Sequence, residues 1–200
     1  MNPVQQASNY DKIAEHWNSD RFNRDNGVLQ HKRAFNFAPK FGKAIDIGCG
    51  SSGRIIDLLL LQGYEVEGLD LSQEMLKLAK QRHPDITFYH ADICEWIPLD
   101  KYSFISAWDS IWHVPLENQA SVISKLLEQL ESDGVIIFTS GAVDDEGAGS
   151  NPFLGQELYH AALGIPATLK LLEQHNCACR HLENDDWPNK HLYIIAQKRA

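Results

Sequence analysis

The sequence predicts an α/β fold: a single doubly wound, mostly parallel seven-stranded sheet, with helices on both faces and a C-terminal antiparallel hairpin. Three observations predict it. A short apolar run, Lys43 to Ile47, empties into a glycine loop at Gly48, Gly50 and Gly53. Strand-like and helix-like segments then alternate, the rhythm of parallel strands joined by right-handed crossovers. Near the end, two strand-like runs, Cys177 to Leu182 and His191 to Gln197, are parted by the turn-rich stretch Asn184 to Asn189, as hairpin strands are.

Each element has a local reason. Lys43 to Ile47 reads as a short buried strand, and the helix after the glycine loop, Arg54 to Leu61, stops at Gly63. Tyr64 to Leu69 is the second strand and ends at Asp70. Ser72 is a good N-cap, Glu74 suits the first turn, and Met75, Leu76 and Ala79 form the apolar side of the next helix. His83-Pro84 closes that helix, and Ile86 to Tyr89 and Ser103 to Trp108 are the third and fourth strands. Leu116 to Glu131 carries Val122, Ile123, Leu126, Leu127 and Leu130 on one stripe, which predicts an amphipathic helix. Asp133-Gly134 turns into a fifth strand, Val135 to Ser140. Residues 141 to 155, rich in Gly, Asp and Ser, read as a mobile loop, Gln156 to Leu163 as a short lid helix, and Ala167 to His175 as a further helix.

Composition narrows the class. With 200 residues, 44% hydrophobic and 22% charged, the chain suits one well-cored globular domain and is awkward for two. A net charge of −9 is poorly suited to gripping a phosphate backbone, and the basic groups at His31-Lys32-Arg33 and Lys198-Arg199 are too small to reverse that. The four cysteines, Cys49, Cys94, Cys177 and Cys179, include no Cys-x-x-Cys pair, so reduced thiols in a cytoplasmic protein are expected. Met-Asn-Pro-Val-Gln-Gln lacks the features of a signal peptide, and no uncharged apolar run is long enough to span a bilayer. Nine histidines show no metal-ligand spacing, so no metal is expected.

The glycine loop carries the chemistry. Gly48, Gly50 and Gly53 have the spacing that lets backbone approach an adenosine cofactor and turn into a helix, a pattern shared by dehydrogenases and flavoproteins. Asp46 narrows the choice. A pyrophosphate would meet its negative charge two residues before the first glycine, whereas S-adenosylmethionine carries an ammonium and a sulfonium and has no phosphate.

At these residues the chain resembles the class I S-adenosylmethionine-dependent methyltransferases, over roughly residues 9 to 198. Asp46-Ile-Gly-Cys-Gly-Ser-Ser-Gly53 looks like the first family motif, Glu67-Gly-Leu-Asp70-Leu-Ser the second and His90-Ala-Asp92-Ile the third. Phe104-Ile-Ser-Ala-Trp-Asp-Ser110 occupies the fourth, and Leu130 to Ile137 is similar to the helix-turn-strand before the reversed hairpin. The resemblance implies a Rossmann-like methyltransferase fold, with residues 1–40 as a helical cap over the cofactor site and residues 41–200 as the main domain. It also implies S-adenosyl-L-methionine as cofactor. Asp70, about 20 residues beyond the loop, is placed to accept both ribose hydroxyls, though it also suits a helix N-terminus. Asp92 with the Ile93 amide would meet the adenine edge, unless it is a solvated loop residue; Leu71, Met75 and Ile93 would wall the base, unless Met75 is simply core. Asp46 would contact the methionine ammonium directly or through water, and Cys49 and Trp108 belong to the same expected cofactor set. Tyr10, in an N-terminal segment similar to the helix that folds over the cofactor in small relatives, would touch the methionine end or anchor its own helix.

Methyl transfer is a direct displacement, so exclusion of water and alignment of the reactants supply much of the acceleration, and a base is needed only for the acceptor's proton. Trp108-Asp-Ser-Ile-Trp-His-Val-Pro115 is the densest cluster of suitable groups. One helical turn would bring Asp109 and His113 together, with His113 as base and Asp109 as its orienter; the competing reading is a histidine that satisfies helix ends near Pro115. Trp112, His113, Tyr159 and His160 are the expected acceptor contacts, with Trp112 equally able to be ordinary packing. The reading is a methyltransferase acting on oxygen, nitrogen or sulfur of a small molecule, with the oligomeric state left open. A non-catalytic cofactor-binding protein stays open beside it. A nucleic-acid or protein methyltransferase is less favoured, because Trp-Asp-Ser-Ile stands where nucleic-acid amino methyltransferases carry an Asn/Asp-Pro-Pro-aromatic element.

Overall fold

Apolar runs become strands and amphipathic stretches become helices in the computed structural model, which describes residues 2–200. Three helices come first: α1 (Pro3–Asp11), α2 (Glu15–Asn18) and α3 (Val28–Ala34). Then follow β1 (Lys43–Ile47), α4 (Arg54–Leu61), β2 (Glu65–Asp70), α5 (Gln73–Arg82), β3 (Thr87–His90), β4 (Tyr102–Ala107), α6 (Leu116–Glu128) and β5 (Leu130–Gly141). The chain ends with β6 (Gly147–Phe153), β7 (Gln156–Ala162), α7 (Ile165–Gln174), β8 (Cys177–Asn184) and β9 (His191–Lys198).

Seven strands form the main sheet in the order β3-β2-β1-β4-β5-β9-β8. β1 to β5 run parallel, whereas β9 lies antiparallel to β5 and β8. The winding direction reverses between β1 and β4, so a crevice opens at the carboxyl edge there, where ligands of such sheets bind. Both faces are covered. On one, Ile45, Ile105 and Ile136 pack with Val122, Ile123 and Leu126 of α6; on the other, Phe104, Val135 and Ile137 pack with Ile55, Ile56 and Leu59 of α4 and Ala34 of α3. Full burial of each large apolar side chain is worth about 1.5–3 kcal/mol, which is why β4 is uniformly apolar or small.

Three boundaries differ from the sequence reading. Gln156 to Leu163 is no lid helix: β7 pairs with β6 in a separate two-stranded sheet, so the expected mobile loop over 141–155 holds a strand. The hairpin turns on Leu154-Gly155, with φ of 49° and 78°. Two left-handed residues make the tight turn whose twist matches paired strands. The Gly, Ser and Asn of β6 hid its strand character, because its backbone pairing, not its side chains, makes the strand. The third difference is α6, which stops at Glu128 rather than Glu131; Leu130 already pairs with Tyr102 in β5. Leu130 is buried in either conformation, so the apolar stripe ran past the helix end.

Candidate functional site

The glycine loop is held to the second strand by Gly48 N and Cys49 N, which donate to the Leu69 carbonyl at 2.7 and 3.0 Å. Gly48 and Gly50 are left-handed, with φ of 68° and 58°. A Cβ on Gly48 would lie 2.3 Å from Ser110 Cβ, so only glycine lets the loop approach the segment after β4. A Cβ on Gly50 would meet nothing within 4 Å, because that side of the loop faces open space. The space belongs to a cavity of about 1020 Å³ at the carboxyl edge.

The cavity is lined by Gly48, Cys49, Gly50, Asp70, Leu71 and Met75, and by Asp92 and Ile93. Asp70 accepts from Gly50 N and Ser72 N, each at 2.8 Å, and burial pushes its carboxyl up against the pull of those bonds. Asp92 accepts from Cys94 N at 2.8 Å. The turn that follows hangs on Lys125 of α6, whose Nζ donates to the carbonyls of Ile93, Cys94 and Trp96 at 2.7, 3.1 and 2.8 Å. The loop's open side, two anchored carboxylates and an apolar wall fit an adenosine moiety.

α1 and the β6–β7 hairpin line the same cavity. Pro3, Gln6, Ala7, Tyr10 and Trp17 are the cavity residues of the N-terminal segment, while α3 packs into the core beneath the sheet. Trp108, Trp112, His113 and His160 face the same space. His113 is fixed from several sides. Its Nδ1 lies 2.5 Å from the Tyr159 carbonyl, so it carries the proton and donates; Nε2 accepts from Trp112 Nε1 at 3.0 Å and from the Tyr10 hydroxyl at 2.6 Å. Burial lowers its pKa from 6.5 to about 4, so the ring is neutral at ordinary pH.

Four expected contacts are corrected. Asp46 is not on the cavity wall: it is 4% exposed, and Ser106 Oγ donates to its Oδ1 at 2.8 Å. Ser106 Oγ also lies 3.1 Å from His31 Nε2, and burial pushes Asp46 up to about 7, so its charge is not a fixed feature near neutrality. Gly53 does not line the cavity; it is the left-handed N-cap of α4, with φ 68°, and a Cβ there would lie 2.4 Å from Arg82 Cδ and 2.6 Å from His83 Cε1 at the end of α5. Tyr159 offers His113 its carbonyl, while its hydroxyl accepts from Leu116 N at 3.1 Å, away from the cavity. Asp109 does not orient His113. Ile111–His113 is a 3-10 turn rather than a helical one, and Asp109, with φ 52°, sends its side chain to His191 (2.9 Å) and Asn26 (3.0 Å).

His191 was missed from the sequence. Its ring bridges two carboxylates, Asp109 at Nε2 (2.9 Å) and Asp185 at Nδ1 (2.5 Å). Burial alone would lower its pKa, but the bonds and charges of Asp109 and then Asp185 outweigh that and raise it to about 9. Arg54, Gln6 and Lys125 were missed as well. No local pattern announces them, since each acts on a partner chosen by tertiary packing.

A family model for a methyltransferase domain matches residues 44–134. In sequence the chain is similar to the malonyl-(acyl-carrier protein) O-methyltransferase of Enterobacter lignolyticus, 31% identical over 138 residues, which are 63% of this chain and 54% of that protein. It is also similar to the trans-aconitate 2-methyltransferase of Agrobacterium fabrum, 35% identical over 92 residues, 46% of this chain and 35% of that protein. The chain spans about half the length, or less, of the curated relatives it matches. In fold it is similar to the CcbJ methyltransferase from Streptomyces caelestis, with a TM-score of 0.72 at 13% identity over 100% of both chains. A second such structure, an S-adenosylmethionine-dependent methyltransferase from Clostridium acetobutylicum, gives a TM-score of 0.69 at 15% identity over 96% of each chain.

Proposed function

We propose that this chain is a class I S-adenosylmethionine-dependent methyltransferase, in keeping with the methyltransferase-domain match and the similar relatives, and that it transfers a methyl group from S-adenosyl-L-methionine to a small-molecule acceptor. One observation carries the proposal: a single cavity is lined both by the Gly48–Gly50 loop, Asp70 and the Asp92–Ile93 turn and by Trp112, His113 and His160. Such a cavity has places for two reactants side by side.

When bound, the sulfonium nucleoside supplies the methyl group, which the acceptor's heteroatom takes in line with the departing sulfur. The residues of the chain position and deprotonate. Asp70 holds the ribose, and the Asp92–Ile93 turn, fixed by Lys125, meets the base. The α1 helix and the β6–β7 hairpin exclude water, which lets charge cancel without competition from solvent. His113 is the proton acceptor. The Tyr159 carbonyl fixes its tautomer, so Nε2 accepts from Tyr10 and Trp112, and the acceptor's proton reaches it as Tyr10 hands on its own and takes the acceptor's in exchange. Relatives named for a malonyl carrier and for trans-aconitate support a small acceptor.

We place the protein in the cytoplasm, in keeping with four unpaired thiols. Among the described residues no helix is long and apolar enough to cross a membrane. Calorimetry with S-adenosylmethionine, S-adenosylhomocysteine and NAD, followed by a metabolite screen for S-adenosylhomocysteine release, tests the reading. Micromolar binding of both sulfur nucleosides and release with one acceptor class are the expected results; binding of NAD alone would overturn it.

A further inference from the structure

Geometry alone makes His191 a cation. Its Nε2 lies 2.9 Å from Asp109 Oδ1 and its Nδ1 lies 2.5 Å from Asp185 Oδ1. An ionised carboxylate only accepts, and a neutral imidazole has a single N–H, so both bonds form only on the imidazolium. The groups that act on it come from several elements. Asp109 belongs to the segment after β4 and Asp185 to the loop between β8 and β9. Arg54 of α4 pulls on Asp109 through space, and the N-terminal region supplies neutral donors, Asn26 to Asp109 and Gln30 to Asp185. Opposite His191 on β5 stands Gly141, which carries no charge.

His191 also lies against two indoles. The ring centroids of Trp108 and Trp112 are 5.4 and 5.5 Å from its own, at interplanar angles of 58° and 79°. Both distances suit attractive aromatic pairs, and positive charge on the imidazole strengthens its hold on an indole π-system. Trp112 has one N–H to give, and gives it to His113 Nε2 at 3.0 Å. The segment that carries Trp112 and His113 is sharply bent. Asp109 is left-handed at φ 52°, a sparsely populated conformation that persists where its surroundings hold it, and Ile111–His113 is a 3-10 turn. His191 thus grips this segment twice, at the Asp109 carboxylate and at the Trp112 ring. The second grip ends on the nitrogen that takes the proton.

We propose that His191 is a positioning residue for His113: while protonated it keeps Trp112 donating to Nε2 of the base, and on losing its proton it releases that indole. The catalytic meaning of this coupling rests on the methyltransferase reading above. A neutral His191 keeps one N–H, so one of its two carboxylates faces a lone pair. The ring shifts off that partner, and Trp112 loses both the charge and the surface it leans on.

The test reads the His113 ring itself, by long-range proton–nitrogen correlation NMR on the full chain, with the rings assigned through His113→Gln and His191→Gln. Besides its own protonation near pH 4, His113 should show a second inflection near pH 9, at the midpoint of the His191 ring. In His191→Gln that second inflection should vanish. Asp185→Asn removes one of the two anions, so the His191 midpoint should fall and the His113 inflection should fall with it. The proposal is overturned by an inflection absent from wild type or persisting in His191→Gln. It is equally overturned by one that stays put in Asp185→Asn while the His191 midpoint moves. Wild-type chain that binds no S-adenosylhomocysteine in calorimetry sinks the methyltransferase reading whichever way His113 titrates, so the two failures are distinct.

Discussion

At the scale of single residues, His113 shows how burial sets a protonation state. Its pKa falls from 6.5 to about 4 because the charged form loses its water, while the Tyr159 carbonyl pulls weakly the other way. The neutral form is the competent one for accepting a proton. Turnover should therefore hold as pH falls below 6.5 and drop only as it nears 4, where an exposed histidine would already have failed. His113→Ala should cut kcat on the order of a hundredfold or more with little change in S-adenosylhomocysteine affinity; a variant with normal kcat would remove His113 from the chemistry. Residues of this kind were legible when their partners are near in sequence. Asp70 reaches Gly50 and Ser72, and the strand-loop-helix pattern places all three together. Asp109 was misjudged because its partner, His191, lies 82 positions away. Helical spacing predicted a neighbour for it that a left-handed residue at φ 52° turns aside.

At the scale of elements, α6 does more than cover the sheet. Lys125 leaves its apolar stripe to crosslink the Asp92–Trp96 turn through three backbone carbonyls. Lys125→Met would strand those carbonyls, and we expect a loss of about 1–3 kcal/mol, read as a lower urea midpoint at constant slope. It should also blunt discrimination between S-adenosylhomocysteine and its inosine counterpart, because the turn we propose for the base would no longer be fixed. Unchanged discrimination would confine Lys125 to a structural role. The helices and strands that alternate up to β5 could be read from apolar periodicity, which tertiary burial produces and the sequence therefore records. The β6–β7 hairpin could not. Its signal is a two-residue left-handed turn at Leu154-Gly155, and leucine in that position is unlike the Asn-Gly or Asp-Gly pairs that announce such turns.

At the scale of the whole molecule, His191 ties distant stretches of chain together: the loop before β9 through Asp185, the segment after β4 through Asp109, and the N-terminal region through Gln30, which donates to Asp185, and Asn26, which donates to Asp109. Its folded pKa of about 9 stands above the ordinary 6.5, so the native state holds a proton that the unfolded chain releases. The stabilisation is complete below about pH 6.5 and disappears as pH rises through 9. After allowance for solvent screening, that is about 2 kcal/mol, to be read from thermal midpoints across that window. His191→Gln should flatten the slope; an undiminished slope would place the titration elsewhere. The architecture, by contrast, was legible: alternating elements announced a mostly parallel, doubly wound sheet closed by an antiparallel hairpin, although the strand order was not read from the sequence.

The match to the family model ends at residue 134, whereas the hairpin that closes the cavity from above begins at Gly147. The glycine loop with its two acidic turns and the hairpin wall are thus written in separate stretches of the chain. Evolution, or a protein engineer, can rewrite the hairpin to suit a new guest and leave the Gly48–Gly50 loop, Asp70 and the Asp92–Ile93 turn intact.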